Sequence, residues 1–131
     1  IQALAADASQ LGQERPVWRR RFDRILVDAP CSGLGTLARH PDARWRVTEQ
    51  SVAELLELQV SLLDGLQPLL APGGRLVYAT CTIHPSENTD QIRGWLQSNP
   101  ALKLESEEQR WPDPSGGDGF YAAVITAPEA A

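Results

Sequence analysis

The sequence predicts an α/β fold built on a parallel sheet, and three observations carry that reading. Two short apolar runs, Arg24-Ile25-Leu26-Val27-Asp28 and Arg75-Leu76-Val77-Tyr78-Ala79, have the character of strands buried on both faces. Between them Val52, Leu55, Leu56, Leu62, Leu63 and Leu66 recur at helical spacing. Strand, helix and strand at this length make a βαβ unit, whose right-handed crossover leaves the two strands parallel.

Taken in order, the chain opens on Ala3-Leu4-Ala5-Ala6, which reads as a strand already under way, and an Arg-rich loop leads from it to the first apolar run. Thr48 is the N-cap of the long helix, with Val47 and Val52 as a hydrophobic staple around it. Pro68 bends or ends that helix, because its ring removes a donor and collides with the preceding turn. Pro72-Gly73-Gly74 forms the turn into the second run. Ser86 caps a shorter helix with Ile92, Trp95 and Leu96 on its apolar face, stopping before Asn99-Pro100. Leu102 to Leu104 is a further short strand, while Glu105 to Gly117, rich in charge, Pro and Gly, reads as a loop. Asp118-Gly119 then turns into a final strand from Phe120 to Ile125. With no internal repeat and no second domain, residues 1–131 read as one unit.

The 131 residues suffice for one hydrophobic core, and their composition lies in the ordinary globular range. No stretch approaches the roughly 20 consecutive apolar residues of a membrane-spanning helix, and the N-terminus lacks the basic-then-apolar pattern of a secretory signal. The default expectation is a cytoplasmic protein with no membrane partner, in which Cys31 and Cys81 are free thiols. There is no methionine and the chain starts at Ile1 within what reads as a strand, so the sequence is expected to be part of a longer protein. The net charge of −5 argues against a nucleic-acid partner on average. The distribution is uneven, however: residues 1–46 hold eight arginines against five carboxylates, a balance of +3, and the remainder carries −8. A basic first third is compatible with RNA contact.

Ligands of open parallel sheets bind beyond the carboxyl ends of the strands. Cys31 follows the first run through Asp28-Ala29-Pro30, and Cys81 follows the second through Thr80. If these strands are neighbours, about 4.8 Å apart, both thiols emerge at one sheet edge. A single free cysteine is most often a small buried hydrophobe. Two at adjacent strand ends, each flanked by polar residues and a turn, point to chemistry. A helix starting near Ser86 would favour a thiolate at Cys81 through its dipole. Cys31, His40, Cys81 and His84 are metal-ligating types, but Cys-x2-His is half a zinc site and Cys31 with His40 lies outside the usual separations, so no metal is expected.

Asp28-Ala29-Pro30-Cys31-Ser32-Gly33, His40-Pro41-Asp42 with Trp45, Tyr78-Ala79-Thr80-Cys81-Thr82, Glu87-Asn88 and Asp118-Gly119-Phe120 occur in this order. Together they resemble the Sun (Fmu) family of RNA 5-methylcytosine methyltransferases, and within it the bacterial enzymes that act on small-subunit ribosomal RNA. The resemblance runs from about Ala3 to Ile125. It implies a partial Rossmann-like class I methyltransferase fold, the C-terminal half of a mostly parallel sheet with an antiparallel last strand. It also implies S-adenosylmethionine as cofactor, ribosomal RNA as partner, and methyl transfer to carbon 5 of a cytosine through a covalent cysteine adduct. By resemblance Cys81 is the nucleophile and Cys31 assists product release, the reverse of the assignment in DNA cytosine methyltransferases. Asp28 falls at the junction of cofactor and cytosine, and Asp7 near the adenine amino group of the cofactor. Arg39, His40 and Arg44 lie in the loop after Cys31, where a basic segment suits RNA phosphates. Trp45 beside them either stacks on RNA or packs into the core. Ser32, Gly33 and Gly35 make a turn that admits close backbone approach to a base.

One part of the family pattern is absent. Such folds hold the methionine end of the cofactor on a Gly-rich loop after the first sheet strand, and Gly73-Gly74 precedes a strand instead. Residues 1–131 alone are therefore expected to be inactive and to bind S-adenosylmethionine weakly or not at all. Strands missing between the regions of Leu4 and Leu26 are expected to leave an unpaired sheet edge. Two alternatives stay open. A methyltransferase of another class would show Pro-Pro-aromatic or Gln in place of the Pro-Cys at 30 and 31, and gives Cys81 no task. A truncated, non-catalytic relative would bind RNA or a protein partner.

Overall fold

The computed structural model describes residues 1–130. Strands β1 (Phe22–Asp28), β2 (Leu70–Thr80), β3 (Lys103–Arg110) and β4 (Phe120–Thr126) form one sheet in the order β1-β2-β4-β3. β1 and β2 are parallel, whereas β4 runs antiparallel to both of its neighbours. A partial Rossmann-like sheet with an antiparallel last strand is thus the observed architecture. Helices α1 (Leu11–Glu14), α2 (Ala43–Arg46), α3 (Glu49–Leu66) and α4 (Thr89–Ser98) complete it, with α3 as the crossover of the βαβ unit.

Local chemistry sets the ends of α3. The Thr48 hydroxyl accepts the Ser51 N–H at 3.1 Å while the Ser51 hydroxyl accepts the Thr48 N–H at 2.9 Å, a capping box that satisfies two otherwise orphaned donors. At the other end the chain tightens into a 3-10 turn over Gln67–Leu69, where Pro68 sits.

The register of the sheet aligns its buried face. Ile25, Leu76, Ile125 and Leu104 form one cross-strand row, and Val27, Tyr78 and Ala123 the next. These rows pack with Leu63 of α3 and with Ile92 and Trp95 of α4. Burying each large apolar side chain contributes about 1.5–3 kcal/mol. The Trp95 indole donates to Asp64 at 2.8 Å, so α4 is tied to α3 by a polar bond as well as by packing.

Several elements differ from the sequence-based expectation. Residues 3–6 form no strand and are exposed, because no described strand lies beside them to accept their backbone bonds. β1 is the sheet's edge and is buried on one face only, leaving Leu26 at 69% exposure on the other. β2 begins at Leu70 and absorbs Pro72-Gly73-Gly74, where its register against β1 jumps and Gly73 takes a φ of +68°. β3 continues through Arg110 where a loop was expected. Its charged side chains are accommodated at the sheet's other edge, with Glu105 accepting from Arg75 at 2.6 Å and from Thr126 at 2.7 Å. α4 begins at Thr89 after Asn88, and the Ser86 hydroxyl bonds His84 Nδ1 at 2.6 Å instead of capping the helix.

Replacing Thr48 by Ala should lower stability by about 1 kcal/mol through loss of the cap. Chemical denaturation checks this as a lower midpoint at unchanged slope.

Candidate active site

The parallel pairing of β1 and β2 sets the first distances. Asp28 lies opposite Ala79, and the Ala29 N–H donates to the Ala79 carbonyl at 2.9 Å, carrying the ladder one step past β1. Both strands then release their chains at the same edge. Cys31 Sγ and Cys81 Sγ lie 3.5 Å apart, each partly buried. The turn after Cys31 reverses at Gly33, which has a φ of +70° suited to glycine. Gly35 then donates to the Cys81 carbonyl at 2.9 Å and accepts from the Gly119 N–H at 2.8 Å. A Cβ at Gly35 would run into both carbonyl oxygens, of Gly119 and of Cys81, so three chain segments meet where only a bare backbone fits.

Beneath the sulfurs lies a buried polar layer. Asn88 brackets Cys81 on both sides, donating to the Thr82 carbonyl at 2.9 Å and accepting from the Thr80 hydroxyl at 2.6 Å. Glu87, fully buried, accepts from the Ser32 N–H at 2.9 Å and from Gln59 at 3.2 Å on one oxygen, and from the Ser32 hydroxyl at 2.5 Å on the other. Gln59 also donates to the Pro30 carbonyl at 3.0 Å, and Tyr78 donates to the Glu87 carbonyl at 2.8 Å. A buried carboxylate needs such donors to offset the loss of water.

Burial also acts on the thiols. It pushes the Cys31 thiol from its ordinary 9.0 up to about 12, since a thiolate there would be poorly solvated. Cys31 is therefore a protonated thiol at neutral pH. α4 itself starts at Thr89, three residues after the expected Ser86.

The other expected site residues are dispersed around this centre. Arg39 Nε donates to Asp118 Oδ2 at 2.8 Å, and this bond raises the guanidinium pKa further. Asp118 Oδ1 is buried with no partner among the described residues. His40 and Arg44 are exposed, and the Arg44 guanidinium sits 5.1 Å from the centre of the Trp45 ring. Trp45 is 80% exposed, which removes the option of core packing. Asp28 is exposed at the end of β1 and makes no side-chain hydrogen bond among the described residues. Asp7 is exposed in an Asx turn, its Oδ1 accepting from the Ser9 N–H at 2.9 Å and hydroxyl at 2.7 Å, which holds it below the usual carboxylate range. No hydrogen bond among the described residues links Asp7 to the thiol loops. Among those residues no group of three or more His, Cys, Asp or Glu is placed to hold a metal ion.

Sequence reasoning gave no task to Gln59, Thr80, Thr82, Glu87 or Asn88. For Gln59 a signal existed: it occupies the helix stripe of Val52, Leu63 and Leu66, a polar residue where apolar ones recur. Glu87 and Asn88 carry no periodic signal, since their partners are distant in the chain. A cavity of about 770 Å³ lies elsewhere, lined by Leu4, Trp18, Phe22, Ile25, Leu66 and Leu69 near the start of β1.

The family model for 16S rRNA methyltransferase RsmB/F matches residues 1–126. The ribosomal RNA small subunit methyltransferase B of Salmonella newport (strain SL254) is 46% identical over 113 residues, covering 81% of this chain and 26% of that protein. The same protein of Salmonella typhi gives the same figures. The chain thus spans about a quarter of the length of the curated relatives it matches. The crystal structure of PH0851 superposes with a TM-score of 0.85 at 34% identity, covering 95% of this chain and 30% of that one. A methyltransferase homolog protein from Pyrococcus horikoshii gives a TM-score of 0.68 at 28% identity, with 95% and 44% covered.

The raised thiol pKa has a direct readout. Iodoacetamide labelling of Cys31, followed by peptide mass spectrometry, should keep climbing about tenfold per pH unit beyond pH 9, as thiolate reactivity requires. A plateau near the ordinary value of 9.0 would contradict the burial.

Proposed function

The chain belongs to the RsmB/F family of 16S rRNA methyltransferases, and on that premise we propose that it forms part of the catalytic centre of an enzyme that methylates carbon 5 of a cytosine in small-subunit ribosomal RNA through a covalent cysteine adduct. The observation that carries this reading is the 3.5 Å separation of Cys31 and Cys81 at the carboxyl edge of parallel strands. Carbon 5 of cytosine is a poor nucleophile. A thiolate that adds to carbon 6 makes carbon 5 enamine-like and ready to accept a methyl group. The proton on carbon 5 must then leave, its electron pair restoring the double bond as the bond from carbon 6 to sulfur breaks.

Cys81 is the proposed nucleophile and Cys31 the group that assists release. A thiol held protonated up to about pH 12 is unsuited to the first attack. It suits the last step, where it can give its proton to the departing Cys81 sulfur and regain one as carbon 5 loses its own. A non-catalytic RNA- or protein-binding relative would have no use for such a pair.

S-adenosylmethionine supplies an electrophilic methyl group when bound. Asp28 and Asp7 are the residues proposed to hold it. The Asp28 carboxylate, exposed and without a side-chain bond among the described residues, keeps its acceptors free for a hydroxyl or an amine. Asp7 engages Ser9 through Oδ1 alone among those residues. Arg39, His40 and Arg44 are proposed to contact RNA phosphates, with the exposed Trp45 ring as a stacking surface for a base. No helix among the described residues is long and apolar enough to cross a membrane. The proposed compartment is the cytoplasm, whose reducing conditions keep both thiols available.

In the full-length protein, Cys31→Ala should accumulate a covalent RNA adduct that survives denaturing electrophoresis, and Cys81→Ala should form none. Exchange of those two outcomes would reverse the roles. Residues 1–131 by themselves hold no Gly-rich strand-loop-helix ahead of β1, so calorimetric titration with S-adenosylmethionine should show little or no heat of binding. A clear micromolar Kd would overturn that expectation.

A further inference from the structure

One fully buried carboxylate, Glu87, takes no part in the chemistry above. Its carboxylate is bonded to Ser32, which adjoins Cys31, and to Gln59 of α3. Ser32 follows Cys31 and is held by both its N–H and its hydroxyl, at 2.9 and 2.5 Å. Thr82 follows Cys81, and its hydroxyl lies 2.8 Å from that of Ser32. Gln59, on the same carboxylate oxygen as the Ser32 N–H, holds the Pro30 carbonyl just before Cys31.

We infer that Glu87 is a positioning residue, which through Ser32 and Thr82 holds the Cys31 and Cys81 loops at reacting distance. The polarity of the chain of hydroxyls supports this. The Ser32 hydroxyl has a single proton, and the short bond to a carboxylate oxygen, which can only accept, consumes it. The 2.8 Å contact must then be donated by Thr82, whose oxygen in turn accepts the His84 N–H at 3.2 Å. Direction is thus fixed from the Cys81 loop to the Cys31 loop and on to Glu87. A carboxamide in place of the carboxylate presents an N–H₂ where an acceptor is needed, or turns away the acceptor that serves the Ser32 N–H. Stability alone gives little reason for the arrangement, since a buried charge is often replaceable by a well-packed apolar side chain at no loss. Geometry gives a stronger one, because a displacement of about 1 Å at a reacting group can cost about 100-fold in rate.

The catalytic meaning of this role rests on the proposed function, but the thiol geometry does not. Two readouts on the full-length protein separate them. The first is kcat and KM for RNA methylation by Glu87→Gln, Ser32→Ala and the double variant. The second is the rate at which a diazene oxidant joins Cys31 to Cys81, the two thiols giving two protons and two electrons to the N=N bond as the disulfide forms. We expect each single variant to lose about 10- to 100-fold in kcat, with KM within about twofold. Disulfide formation should slow by about tenfold, given the strict geometry of that bond. The double variant should be no worse than the poorer single one, because both act through one contact. Wild-type kcat per folded molecule together with a wild-type disulfide rate, or losses that multiply in the double variant, would overturn the inference. If Glu87→Gln does not fold, Ser32→Ala decides by the same readouts, since it leaves the carboxylate bonded to the backbone and to Gln59. Absence of cytosine methylation by the wild type would sink the proposed function, and the disulfide rates would still decide the role of Glu87.

Discussion

The parallel register between β1 and β2, with Asp28 opposite Ala79, governs the separation of every group at the carboxyl edge of the sheet. Parallel strands leave a sheet on the same side, so two turns fifty residues apart begin at one level and less than a side chain apart. The helix α3 makes that pairing possible by carrying the chain back to the start of the sheet. Everything finer is built on this placement: Gly35 lets the first turn lie against the second, Gly119 closes the third side, and Glu87 with Asn88 fastens both turns from below.

Holding two sulfurs in partial burial has consequences that run from packing to chemistry. Desolvation pushes the Cys31 thiol from its ordinary 9.0 up to about 12. The same desolvation makes the polar layer sensitive, because stripping one partner from a buried donor or acceptor costs about 1–3 kcal/mol. The layer is accordingly almost complete: Tyr78, Thr80, Thr82, Gln59, Glu87 and Asn88 are all buried and all bonded. Asp118 Oδ1 is the buried side-chain oxygen without a partner among the described residues, at the rim where Arg39 is held.

Much of the fold was legible because its signals are local. Apolar runs of strand length, the Thr48 cap and the stop at Pro68 each depend on neighbours in sequence, whereas the turn expected at Asp118-Gly119 forms earlier, at Pro114-Ser115, where the Gly116 N–H donates to the Asp113 carbonyl at 3.0 Å. β3 was legible only at its start, where a short strand was read at Leu102 to Leu104, since Glu105 to Arg110 is charged and polar throughout and becomes a strand only by pairing with β4. There Tyr121 donates to Glu107 at 2.7 Å, a contact that no local pattern announces. The burial of β1 was overstated for a related reason: an apolar run does not say whether one face or two are covered, and Leu26 lies on the open one. At the site, strand ends located both thiols, whereas Glu87 and Asn88 stood out only as part of the ordered motifs and without a role, because their partners come from four other segments.

Membership of the RsmB/F family and the thiol geometry meet in one claim, that a sulfur at the end of β2 attacks the base while its neighbour at the end of β1 waits protonated. The most direct measurement uses full-length protein and a ribosomal RNA substrate whose target cytosine carries fluorine at carbon 5. Without a removable proton there, the adduct cannot be released, and proteolysis with mass spectrometry locates the modified residue. The account predicts the nucleotide on Cys81; a nucleotide found on Cys31, or no cysteine adduct at all, would contradict it.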